Sequence, residues 1–235
     1  MRSRFDLQLE TLEKLLTKMG ELCEVAISRA AKAIQDGDKG LAKELVESYD
    51  AIDTMEKNIE RLCLKMLLQQ QPVARDLRRI SAALKMITDM ERIGDQTCDI
   101  GEIVLTSKDY SPRENEKLGE MAAAVSSMVH NSVSAFVEKN LELARKVMIA
   151  DDYVDGLFYE IREDLSAILE NEGRANSSVI LDLIMVSKYL ERIGDHATNI
   201  AEWVEFSITG VHKSHPQDRI DEKDMAIDAE SEEEE

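Results

Sequence analysis

Apolar residues recur at alternating steps of three and four along almost the whole chain. Leu9, Leu12, Leu16, Met19, Cys23, Ala26, Ala30 and Ala33 form one such series, and Leu41, Leu45, Ser48, Ile52, Met55, Ile59, Leu62 and Met66 a second. Leu143, Val147, Ala150, Val154, Leu157 and Ile161 repeat the pattern, as do Val179, Leu183, Val186, Leu190, Ile193, Ala197, Ile200 and Val204. A period of about 3.5 residues held this long predicts long amphipathic helices packed at the shallow angles of bundles. Helix breakers fall between the series, at residues 36–40, 69–72, 107–112, 139–140, 171–173 and 209–210. Six helices of roughly 25–35 residues are expected, joined by short loops that set neighbours antiparallel.

The polar positions add a repeat. Glu91-Arg92-Ile93-Gly94-Asp95 returns as Glu191-Arg192-Ile193-Gly194-Asp195, and the likeness runs on through Ile100/Ile200, Glu102/Glu202 and Val104/Val204. Upstream, Asp50-Ala51-Ile52-Asp53 aligns with Asp152-Tyr153-Val154-Asp155. Amphipathic periodicity constrains only the apolar positions, so an identical five-residue string points to an internal duplication. The fold class predicted is all-α, with two tandem three-helix bundles over residues 1–109 and 110–211. Residues 218–235 hold ten acids against two bases, a charge of −8, with few apolar side chains. Residues 212–235 are therefore expected to form a solvated, disordered acidic tail.

Composition narrows the function classes. With 3 prolines and 4% aromatics in 235 residues, the chain lacks the turns and aromatic strands of a β-sandwich or barrel. The net charge of −19 repels nucleic-acid phosphates and anionic lipids, so divalent cations and basic protein surfaces are the expected partners. Cys23, Cys63 and Cys98 form no Cys-x-x-Cys pair and read as reduced, mostly buried thiols. No apolar run approaches the ~20 residues that cross a bilayer, and Met1 to Asp6 does not open a leader peptide. A cytoplasmic protein is expected, meeting membranes only through its partners.

The candidate chemistry lies in carboxylates. On a helical wheel with Glu91 at zero, Asp95, Asp99 and Glu102 fall at about 40°, 80° and 20°. The second copy keeps Glu191, Asp195 and Glu202, with Asn199 in the third place. Like charges at i, i+4 cost a helix a few tenths of a kcal/mol each, so stacking them gains nothing unless a positive group sits among them. The antiparallel hairpin sets Asp53 level with Glu91, and position 49 level with Asp95. In the second half Asp155 faces Glu191 and Asp151 faces Asp195. Such a gathering suits a hard cation (Mg²⁺, Mn²⁺, Ca²⁺ or iron) better than Zn²⁺. The candidate ligands are Asp50, Asp53, Glu91, Asp95 and Asp99 in one half, and Asp151, Asp152, Asp155, Glu191 and Asp195 in the other. Tyr49 stands where the second half has Asp151, so two sites of unequal affinity are expected.

Catalysis is not expected. The Glu-x-x-His pairs of di-iron bundles are absent, since Gly94 and Gly194 follow Glu91 and Glu191 by three. There is no phosphate-binding glycine loop and no nucleophile spaced to a base. His196 is matched by Gln96 in the other copy, and reads as a polar flank.

The doubled Glu-Arg-Ile-Gly-Asp, the run Gln71-Pro72-Val73-Ala74-Arg75-Asp76-Leu77-Arg78 and the stretch from Gly194 to Trp203 together resemble the PhoU family of phosphate-signalling proteins. The resemblance spans residues 5–210. It implies a cytoplasmic, often dimeric protein that restrains phosphate uptake and the phosphate-starvation regulon. Implied partners are the phosphate-sensing histidine kinase and the ATPase subunit of the phosphate ABC transporter. It also implies metal clusters on acidic motifs that map to Glu91/Asp95, Glu191/Asp195 and Asp151/Asp155, with Tyr49 departing from the fourth and Asp50 as its substitute. The alternatives are an accessory protein of a low-affinity phosphate permease and a carboxylate metal or redox protein.

Overall fold

The computed structural model describes residues 2–70, 72–107, 116–172 and 177–211. They form six helices: α1 (Arg2–Asp36), α2 (Lys39–Gln70), α3 (Arg75–Thr106), α4 (Glu116–Glu138), α5 (Leu141–Glu172) and α6 (Ser177–Thr209). No strand occurs among the described residues. The predicted tail, and the predicted boundary between the two bundles at 109/110, lie outside them.

Local chemistry sets the helix ends. Gly37 takes a left-handed φ of 63° after α1. Asp38 then caps α2, its Oδ1 accepting from the Gly40 and Leu41 amides at 2.8 and 3.0 Å. That cap draws Lys39 and Gly40 into α2, so the break is shorter than the sequence suggests. Asn140 caps α5 through the Leu143 amide at 3.0 Å. Gly210, at φ 81°, closes α6 by donating its amide to the Phe206 carbonyl at 2.8 Å. Helix α3 starts differently: Ala74, at φ 45°, supplies no side-chain cap.

Helices α1, α3, α6 and α4 close a central ring, each packing on the next. Helix α2 lies outside against α1 and α3, and α5 lies outside against α4 and α6. The apolar series meet in one continuous core that draws buried residues from all six helices, so the two triplets share an interior. Arg79 ties three helices together, paired with Glu13 of α1 and set 5.4 Å over the Phe136 ring of α4. Helices α3 and α6, which carry the duplicated strings, run antiparallel: Arg78 packs on Gly210, Lys85 lies 5.8 Å over Trp203, and Asp89 meets His196 at 2.9 Å. Two equivalent helices packed this way relate the halves by an approximate two-fold axis.

Candidate functional site

The glycine inside each duplicated string sets how closely the hairpins approach. A Cβ on Gly94 would stand 3.1 Å from Ile52 Cδ1, and one on Gly194 would stand 3.3 Å from Val154 Cγ1. Close contact of α2 with α3, and of α5 with α6, brings the flanking acids together in the predicted register.

In the first half the protein answers those acids from its own side chains. The Tyr49 hydroxyl donates to Glu91 Oε1 at 2.7 Å, and Asp95 lies beside the same hydroxyl. Burial, followed by these two carboxylates, pushes the phenol well above its ordinary range, so it stays a proton donor. Asp53 accepts from Lys57 at 2.6 Å, and Asp95 from Arg92 at 3.0 Å. Glu56 joins the face: burial, then Glu60, Glu91 and Asp53, raise its carboxyl above the usual range. It belongs to the predicted face by its i, i+3 spacing from Asp53, a signal the alignment of the two copies hides because Phe158 is its counterpart. Asp50 is exposed and acts only at a distance on Lys57. Asp99 keeps Glu102 and Asp95 as neighbours and also faces α6. There the Arg192 guanidinium partly offsets the burial and the two acids that raise it. The predicted stripe therefore faces two partners.

The second half gathers more charge. Asp151, Asp155, Glu191 and Asp195 lie together between α5 and α6. Burial, then Asp195 and Asp155, push Asp151 up to about 6, with the nearby Thr198 hydroxyl opposing and Glu191 adding to the rise. Its Oδ1 is enclosed without a donor and lies 3.2 Å from the Cβ position of Gly194. Asp155 and Asp195 are raised too, by burial first and Glu191 second. The cation present is Lys188, with Nζ at 2.5 Å from both Glu191 oxygens and 5.2 Å above the Phe158 ring. Asp152 is exposed and acts on the group through Asp155. The carboxylate stripe alone overlooks Lys188, although its i, i+3 spacing to Glu191 is a readable signal.

Among the described residues no three His, Cys, Asp or Glu side chains converge as a metal-holding group. The donor set is nonetheless all oxygen, which fits a hard cation, and Asp151 Oδ1 is enclosed against Gly194 without a hydrogen-bond partner. Burial pushes the Cys23 and Cys63 thiols up to about 12, far from nucleophile territory. His196 has more work than a polar flank. Its Nδ1 lies 2.9 Å from Asp89 Oδ1, which also accepts from Asn199 at 3.1 Å, and this cluster joins the two halves.

The site consists of two hairpins with acidic faces on a duplicated, all-helical bundle. The family model described as PhoU domain matches residues 16–104 and again 118–204. The phosphate-specific transport system accessory protein PhoU homolog of Clostridium acetobutylicum is 36% identical over 211 residues, covering 89% of this chain and 96% of that one. The crystal structure of PhoU from Pseudomonas aeruginosa superposes with a TM-score of 0.82 at 34% identity, covering 88% of this chain and 100% of that one. That of the phosphate transport system regulatory protein PhoU from Streptococcus pneumoniae gives 0.83 at 26%, covering 89% and 99%. The chain belongs to the PhoU family. No helix among the described residues is long and apolar enough to cross a membrane.

Proposed function

We propose that this protein restrains phosphate uptake and the phosphate-starvation regulon. It does so as a non-catalytic, cytoplasmic adaptor, working as a homodimer between the ATPase subunit of the phosphate ABC transporter and the phosphate-sensing histidine kinase. Membership of a family whose relatives are named accessory proteins of phosphate transport supports the role in transport. The observation that carries the metal part is the cluster of Asp151, Asp155, Glu191 and Asp195, with its donor-less buried oxygen. These residues would hold Mg²⁺, Mn²⁺ or iron. The bound cation would supply positive charge at a face that otherwise repels acidic partners. The chain's own contribution is a rigid bundle face whose acids are pre-gathered by Gly194.

Deletion of the gene is expected to switch on a phosphate-starvation reporter in phosphate-rich medium, and the wild-type chain to silence it again. A silent reporter in the deletion strain would overturn the regulatory role. Titration of chelated protein with Mn²⁺ is expected to give a saturable heat that disappears in Glu191→Ala/Asp195→Ala. An unchanged heat in that variant would remove the metal from the reading.

A further inference from the structure

At the end of the bundle where α3 begins, exposed apolar side chains stand beside arginines. Leu68, Val73 and Leu77 are 83%, 75% and 43% exposed there, around a single turn. Leu77 lies two heptads before Glu91, so it shares the α2-facing side of α3. Arg75 is exposed, and Arg78 holds a buried Nε that meets no acceptor. Neither arginine forms an ion pair among the described residues, while Arg79 beside them is taken by Glu13. Asp76 is the one acid in this first turn. The α3 amides, uncapped by any side chain at Ala74, add the positive end of the helix dipole.

The described chain ends on this same spot. The Arg78 guanidinium packs against Gly210, within 3.4 Å of where a Cβ would stand, and Val211 beyond it is 66% exposed. Residues 212–235 continue from there, 24 residues with a reach of up to about 80 Å if extended. They carry Ile220, Met225 and Ile227 among ten acids and two bases in residues 218–235. The remaining 217 residues hold −11 of the −19, so most of the surface repels such a segment.

We propose that the acidic C-terminal segment docks in cis on the α2–α3 turn. Its acids meet Arg75, Arg78 and the α3 N-terminus, and its apolar residues cover Leu68, Val73 and Leu77. Tethering at Gly210 supplies an effective concentration in the millimolar range, enough for contacts too weak to hold a free peptide. A docked segment would keep this end of the bundle from other acidic, apolar-containing chains.

The test uses the full-length chain labelled with ¹⁵N and a synthetic peptide of residues 212–235. In 50 mM NaCl the amide shifts of residues 218–229 are expected to differ from those of the free peptide. Arg75→Glu, or 0.5 M NaCl with its screening length of about 4 Å, should bring them at least halfway back. Lys43→Glu, at the opposite end of the bundle, should leave them unmoved. Shifts that match the free peptide in the wild-type chain would overturn the proposal. So would equal responses to Arg75→Glu and Lys43→Glu, which mean unlocalised attraction. Shifts that vanish on dilution would assign the contact to a second copy, and would also defeat docking in cis.

Discussion

The two acidic hairpins share a backbone solution and differ in how their charge is answered. In both, an apolar β-branched residue of the outer helix sits over the glycine of the duplicated string: Ile52 over Gly94, Val154 over Gly194. On the first face a phenol donates to Glu91, Lys57 holds Asp53 and Arg92 holds Asp95. On the second, Tyr49 is replaced by Asp151, Lys57 by Tyr159 and Glu56 by Phe158, while Thr88 becomes Lys188. One face is closed by hydrogen-bond donors from its own helices. The other rests on one lysine whose flexible stem lets the ammonium leave, with a buried carboxylate oxygen held in reserve. Duplication supplied the scaffold, and a handful of substitutions separated a face answered by a tyrosine, a lysine and an arginine from one that keeps a donor-less buried carboxylate oxygen.

The largest expected effect tests the shared scaffold. Gly94→Val drives methyl groups into fully enclosed Ile52 and should cost about 3 kcal/mol in urea unfolding. Gly194→Val should cost nearer 2 kcal/mol, because one of its neighbours is the Asp151 carboxylate, which can swing outward. A greater loss at Gly194 would mean that the second face is the stiffer one. Next comes Tyr49→Asp, which rebuilds the second-half pattern in the first. Without metal it should lose about 1–2 kcal/mol, as the donor to Glu91 goes and a further acid arrives. It should also raise the Mn²⁺ stoichiometry from one equivalent to two. An unaltered stoichiometry would show that Tyr49 is not what distinguishes the faces. Smaller again is Lys188→Thr, the first-half residue at that place. The loss in chelator should be about 1 kcal/mol, as expected for a pair in which Glu191 is only 13% exposed. Added Mn²⁺ should erase the difference.

Much of this architecture is readable in the chain. Periodicity locates α1, α2, α5 and α6 directly, the breakers between the series bound α3 and α4, and the hairpin register follows from short connections. What it misses comes from packing between halves. The wheel of one helix groups Asp99 with Glu91 and Asp95, and cannot show that α6 on its other side presents Arg192. His196 reads as a polar flank beside Gln96, since one sequence copy cannot show that Asp89 of the other half meets it. The wheel records charge but not donors, so Tyr49 was legible as a departure while its bond to Glu91 was not. Lysine 188 and Glu56 were within reach by local spacing alone.

The finest distinction is in pH. Asp151 is pushed up to about 6 by burial, by Asp195 and Asp155, and then by Glu191, against an unfolded value near 4. The folded protein therefore holds this proton more tightly than the unfolded chain. Its contribution to stability is full below about pH 4 and is lost as pH rises through about 6. Two pH units correspond to about 3 kcal/mol at most. For a half-buried carboxyl, screening by solvent reduces that to about 1 kcal/mol. Urea midpoints of metal-free protein at pH 5, 6 and 7.5 should fall more steeply for the wild type than for Asp151→Asn. That variant should overtake the wild type at pH 7.5, since it keeps the shape and discards the charge. Tyr49→Phe in the first half changes no group that titrates in this window, so its curve should run parallel to the wild type. Parallel curves for Asp151→Asn as well would mean that its carboxylate is paid no penalty at neutral pH. The two faces would then differ in their side chains but not in their electrostatic strain.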